Sequence, residues 1–158
     1  MSAEFSHFAS HCRARVDDAL DRHFPIGEDP TQLRAAMRYS LFNGGKRVRP
    51  ILAYASALAI DPDINLDVID PVSCALECLH SYSLVHDDLP AMDDDDLRRG
   101  KPTCHIAFSE ANAILAGDGL QTLAFELLTK TDLPAHTQIR LIRSLAAGSG
   151  AEGMVLGQ

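Results

Sequence analysis

Six of the ten residues from 87 to 96 are aspartate, and Arg98, Arg99 and Lys101 follow at once. Carboxylates this crowded repel one another and resist full ionisation unless a cation sits among them. A solvated acidic loop is the plain explanation; a metal site is the sharper one. Mg²⁺ prefers a few carboxylates, waters and phosphate oxygens to an all-protein cage. In an unbroken helix Asp93 would lie about 9 Å along the axis and about 120° around from Asp87, too far rotated to share a ligand. Pro90, however, disfavours helical geometry at Leu89. The predicted break lets the chain fold back, so that Asp93 faces Asp87 and Asp88 across hydrated Mg²⁺. Metal ions and guanidinium groups together could then clamp a diphosphate. The alternative is that the cations pair with Asp94, Asp95 and Asp96 at the surface, contributing ~0–1 kcal/mol per pair.

A second cationic cluster lies upstream in NGGKRVRP, residues 43–50. Its glycines let backbone N–H groups approach an anion, and Lys46, Arg47 and Arg49 surround the start of the next predicted helix near Pro50. A plain surface loop is the competing reading. One cluster is built for metal and the other is not, which suits two different diphosphates. His80 stands about two helical turns before Asp87, with Glu77 three residues earlier. His80, His86 and His105 could each be satisfied core histidines. Cys12, Cys74, Cys78 and Cys104 include no CxxC pair and read as reduced core thiols. A zinc site from Cys74, Cys78, Cys104 and His105 is conceivable, because the first two are one helical turn apart.

The elements that must position these residues are helical. Phe5, Phe8, Ala9, Cys12, Val16, Ala19, Leu20 and Phe24 recur at three- and four-residue steps and predict a first helix that ends at Pro25. Pro30-Thr31 opens a second helix through about Phe42, which Asn43-Gly44-Gly45 stops. Ile51 to Ile60 is apolar nearly all round and predicts a buried helix. A long helix from about Asp67 toward Leu89 delivers the acidic stretch. Further helices are expected over Thr103–Ala116, Asp118–Lys130 and Ala135–Ala147, separated by Gly117 and by Asp132-Leu133-Pro134. Strand-like alternation is absent, and the fold class is all-α.

Composition bounds the rest. The 158 residues, 46% hydrophobic and 23% charged, suit one domain, 1–158, with a real core. No run of eighteen apolar residues occurs and the N-terminus lacks a signal-peptide pattern, so a soluble cytoplasmic protein without membrane partners is expected. A net charge of −8 argues against nucleic acid.

The stretches GGKRVRP, HSYSLVHDDLPAMDDDDLRRGKPTCH and EANAILAGDGLQTLAFELL resemble the N-terminal half of the short-chain trans-prenyl diphosphate synthases, most closely the bacterial farnesyl diphosphate synthases. The resemblance implies an antiparallel helix bundle of the isoprenoid synthase type around a deep cavity. It implies that Asp87, Asp88 and Asp93 bind Mg²⁺ bridging an allylic diphosphate, which Arg98 also contacts. Lys46, Arg49, His80 and Arg99 match the residues that hold isopentenyl diphosphate. Tyr82 and Ser83, just before the acidic pair, occupy positions associated with product length, and with the bacterial spacing they favour a fifteen-carbon product. Tyr82 could equally be a packing aromatic.

That family also carries a second aspartate-rich motif, and none follows Asp118 here, where the acids are Glu126, Asp132 and Glu152. Gln158 resembles the glutamine of the family's GQ pair. The expectation is a truncated bundle with little turnover by itself and an apolar face that favours a homodimer. Three rival readings are a non-catalytic partner of a complete synthase, a geranyl or geranylgeranyl diphosphate synthase, and a generic acidic metal-binding module. A terpene cyclase would not need the Lys46/Arg49 cluster.

Overall fold

The computed structural model describes residues 3–29 and 31–157. Along the chain it contains α1 (Ala3–His23), α2 (Leu33–Leu41), α3 (Val48–Ile60), a 3₁₀ turn (Leu66–Val68), α4 (Asp70–Asp87), β1 (Leu97–Arg98), β2 (Lys101–Pro102), α5 (Cys104–Ala107), α6 (Glu110–Thr129), α7 (Ala135–Ser149) and a second 3₁₀ turn (Met154–Gly157). The architecture is a helix bundle, as its sequence periodicity predicts. Of the residues singled out above, Pro30 and Gln158 lie outside the described residues.

The stripe of α1 buries Ala9, Cys12, Val16, Ala19 and Leu20 and stops two residues before Pro25. Two left-handed glycines, Gly44 at φ 85° and Gly45 at φ 138°, carry the chain from α2 into α3. Pro50 falls in the first turn of α3, where a missing N–H costs nothing.

The central helix is α4. Twelve of its eighteen residues are buried, which makes it the element the others pack around, and α6 runs along it. The apolar run over Ile51–Ile60 predicts that α3 is buried, and the structure corrects that. Pro50, Ile51 and Tyr54 are its buried residues, whereas Leu52 is 60% and Ile60 87% exposed. An apolar helix needs neighbours on every side to disappear from solvent, and α3 packs on α1 and α4 through one face.

Asp70 at the start of α4 ties this framework together. Its carboxylate, 3% exposed, accepts from Arg15 Nε at 2.6 Å, Arg22 at 3.2 Å and the Tyr54 hydroxyl at 2.8 Å. One anion thereby joins α1, α3 and α4. Burial, most of all, raises the Tyr54 hydroxyl above its ordinary value, so it stays protonated and donates.

Two helix boundaries differ from expectation. The helix predicted over Thr103–Ala116 is interrupted at Phe108, and α6 begins afresh where Ser109 Oγ accepts the Asn112 N–H at 3.1 Å, a local N-cap. The predicted stop at Gly117 does not occur. That glycine makes room for another helix: a Cβ there would fall 2.1 Å from His86 Nε2, and His86 reaches across from α4 to the Ile114 carbonyl at 3.0 Å. Gly117→Ala is therefore expected to destabilise the fold by about 1–3 kcal/mol despite alanine's better helix propensity. Gly148→Ala, which meets nothing within 4 Å, is expected to be neutral or slightly stabilising. Thermal unfolding of the two variants side by side tests the contrast.

The strand-free expectation is also corrected, locally. Leu97 and Arg98 pair antiparallel with Pro102 and Lys101, closed by Arg99 at φ 55° and Gly100 at φ 77°. Two left-handed central residues suit the natural twist of a tight hairpin. No described helix is long and apolar enough to cross a membrane.

Candidate active site

The acidic stretch begins where α4 ends. Asp87 is its last residue and Asp88 its cap, and the chain then turns back on itself. The Asp93 N–H donates to the Asp87 carbonyl at 2.8 Å and the Asp94 N–H to that of Leu89 at 3.1 Å. The fold-back expected from Pro90 is thus present.

Asp88 is buried and grips Arg98 through both carboxylate oxygens, with Nε at 2.8 and 2.9 Å. That hydrogen bonding holds Arg98 even more firmly charged than an ordinary arginine. Asp93, Asp94, Asp95 and Asp96 are exposed. Asp87, Asp88 and Asp93 supply the hard oxygen donors that Mg²⁺ takes. Among the described residues, however, no three acidic, histidine or cysteine side chains are gathered closely enough to hold a metal ion. The turn brings the Asp93 backbone to that of Asp87, while the Asp88 carboxylate points at the Arg98 guanidinium.

Cys74, Cys78, Cys104 and His105, weighed for zinc, are not gathered into a ligand set among the described residues. All three cysteines are buried, and His105 Nδ1 lies 3.1 Å from Thr103 Oγ1. Burial pushes the Cys74 thiol up to about 12, the value of an inert core cysteine.

The second cluster assembles more fully. Lys46, Arg49, His80 and Arg99, drawn from three separate stretches of sequence, line one pocket of about 480 Å³ together with Gly45, Arg47, Val48 and Glu77. The hairpin is what brings Arg99 there. Arg98 reaches back to the acidic end of α4, whereas its neighbour Arg99 turns to the glycine loop and donates to the Gly44 carbonyl. Lys101 is exposed, and among the described residues no ion pair joins Arg98, Arg99 or Lys101 to Asp94, Asp95 or Asp96.

Charge and position group Arg47 with Lys46 and Arg49, while the motif match takes only the latter two, and in the structure Arg47 stands apart. It is turned inward, at 6% exposure, onto Glu77 and Asp17. Glu77 escaped notice as a pocket residue. Its one signal was a carboxylate within a helix otherwise rich in small and apolar residues.

His80 feels its surroundings strongly. Burial first, then the positive charges of Arg49, Arg99, Arg98 and Arg47, push it down to about 4. The imidazole is neutral at physiological pH, able to donate from one nitrogen and accept at the other. Because the folded value lies below the unfolded one, the unfolded chain takes up this proton first on acidification. The group carries no penalty above its ordinary value of 6.5 and destabilises increasingly as pH falls from there toward about 4. An NMR titration should find His80 neutral down to about pH 4, and added inorganic pyrophosphate should move the midpoint upward.

An apolar cavity of about 390 Å³ opens beside this pocket, lined by Val72, Leu76, Leu79, Leu128, Leu141 and Leu145 among others, with Arg49 and His80 also on its wall. Tyr82 and Ser83 lie elsewhere. Tyr82 is buried edge-on to His86 with ring centres 5.8 Å apart, and Ser83 Oγ donates to the His80 carbonyl at 2.9 Å.

Comparison with known proteins places the fold and the chain as a whole. The polyprenyl synthetase profile matches residues 30–157. The farnesyl diphosphate synthase of Geobacillus stearothermophilus is 52% identical over 156 residues, covering 96% of this chain and 51% of the relative. That of Escherichia coli K12 is 48% identical over 151 residues, covering 93% and 50%. The apo crystal structure of an FPP/GFPP synthase from Zymomonas mobilis superposes with a TM-score of 0.92 at 42% identity, covering 99% of this chain and 57% of the other. The chain thus spans about half the length of the curated relatives it matches. With the helix bundle, the paired cationic and acidic clusters and a profile match over most of its residues, the chain belongs to the polyprenyl synthetase family.

Proposed function

We propose that this chain provides the N-terminal portion of a cytoplasmic, homodimeric trans-prenyltransferase. In this reading the enzyme joins isopentenyl diphosphate to an allylic diphosphate, dimethylallyl or geranyl, to make farnesyl diphosphate. The observation that carries the reading is the convergence of Lys46, Arg49, His80 and Arg99 on one pocket, next to an acidic turn with an arginine of its own.

Lys46, Arg49 and Arg99 hold the diphosphate of the isopentenyl partner, and neutral His80 completes its hydrogen bonding. Asp87, Asp88 and Asp93 are the residues that would hold Mg²⁺, and Arg98 contacts the allylic diphosphate. Bound Mg²⁺ would neutralise charge on the departing pyrophosphate. The C–O bond of the allylic substrate breaks with its electrons leaving on pyrophosphate. The isopentenyl double bond then attacks the allylic carbocation, a C–C bond forms, and a proton passes to the released pyrophosphate. Leucines on α4, α6 and α7 keep water from the cation. Product length is assigned to Tyr82 and Ser83 by the motif match alone, since neither lines the apolar cavity.

A protein continuing through the remaining length of the relatives, incubated with dimethylallyl and isopentenyl diphosphates, is expected to yield a fifteen-carbon product. A ten- or twenty-carbon product would select the geranyl or geranylgeranyl alternative. No condensation at all would reject the assignment. This chain alone is expected to turn over little.

A further inference from the structure

The cationic pocket contains one residue that works against its charge. Glu77, 3% exposed, lines the same pocket as Lys46, Arg49 and Arg99, where a carboxylate should repel any anion. Its partner is Arg47. The Arg47 guanidinium donates to Glu77 Oε2 at 2.9 Å, to Asp17 Oδ1 at 2.9 Å and to the Leu41 carbonyl at 2.8 Å. One side chain thus joins α1, the end of α2 and the middle of α4. Its own backbone, at the start of α3, is held in the left-handed region at φ 51°, where a residue with a Cβ rests only if its surroundings over-determine it. Lys46 precedes it directly and Arg49 follows by two.

We propose that Glu77 is a positioning residue for the anion pocket. By fixing Arg47 on α4, three residues before His80, it sets where Lys46 and Arg49 stand relative to His80 and Arg99. The inference rests on the reading of this pocket as a diphosphate site. The buried Glu77 carboxylate and the partly exposed Asp17 carboxylate together offset the Arg47 charge, so Arg47 acts as a strut while Lys46, Arg49 and Arg99 face the anion.

Charge and placement predict opposite signs, which makes the idea testable. Calorimetry of this chain with inorganic pyrophosphate, in chelator to exclude metal, should show binding. Glu77→Gln removes a negative charge from the pocket wall, so charge alone would tighten binding; loss of placement weakens it by roughly ten- to a hundredfold. Arg47→Lys keeps the charge but loses the fork, and should weaken binding by a similar factor. The double variant Arg47→Met with Glu77→Leu replaces the buried pair by apolar groups, which keeps the fold stable. It should melt near the unmodified chain yet bind poorly.

Binding that is unchanged or tighter in Glu77→Gln and Arg47→Lys would overturn the inference, as would full binding by a normally melting double variant. An unmodified chain that takes up no pyrophosphate would overturn the diphosphate reading itself and the inference with it.

Discussion

Asp87→Ala or Asp93→Ala, introduced into a protein that spans the full length of the relatives, is expected to lower the condensation rate by about 10²–10³-fold. The same substitutions in this chain should abolish any increase in diphosphate affinity that Mg²⁺ confers. The expectation follows from the turn after α4, where the Asp93 N–H donates to the Asp87 carbonyl and the two residues share one end of the helix. Asp95→Ala and Asp96→Ala are the controls. Both positions are exposed, and surface changes of this kind shift free energies by about 0.5 kcal/mol, roughly twofold. Steady-state rates, with calorimetry of a diphosphate in the presence and absence of Mg²⁺, distinguish these residues. If all four aspartates respond equally, the acidic stretch works as a diffuse field. If Asp87 and Asp93 alone respond, it works as a ligand set.

A large loss of stability, rather than of activity, is expected from Asp70→Ala. This carboxylate is almost wholly enclosed and satisfies Arg15 and the Tyr54 hydroxyl, the latter at the fully buried Tyr54. Its removal strands a buried donor and leaves Arg15 with Asp67 as its remaining carboxylate. Stranding a buried hydroxyl in this way costs about 1–3 kcal/mol, which for a chain of this size corresponds to a fall in melting temperature of roughly 2–12 °C. Arg22→Ala touches the same carboxylate from the outside, with the arginine side chain 62% exposed, and should cost about 0–1 kcal/mol. The enclosed carboxylate and its exposed partner Arg22 thus have very different expected weights, and differential scanning calorimetry separates them.

Much of this arrangement was legible from residue order. Apolar periodicity located α1 and α7, and Pro90 implied the backbone reversal that returns Asp93 to Asp87. The matched motifs picked out Lys46, Arg49, His80 and Arg99, which the fold gathers into one pocket. The failures share a cause, since each concerns a residue whose role depends on a distant partner. Gly117 reads locally as a helix end, but it exists as space for His86, thirty-one positions earlier. The motif match leaves Arg47 without a role, and its role becomes visible only when Glu77, thirty residues on, is seen to hold it. The apolar α3 reads as a core helix, but burial depends on how many neighbours a helix has, which its own residues do not encode.

The hairpin at residues 97–102 carries a consequence for variation in length. Arg98 and Arg99 are consecutive, yet one serves the acidic end of α4 and the other the glycine loop. The spacing between the acidic turn and the glycine loop is thereby gauged by a single peptide unit held in a tight reversal. An inserted residue at 97–102 would change that gauge itself, whereas one in the 61–65 connection would leave both contacts of the hairpin in place.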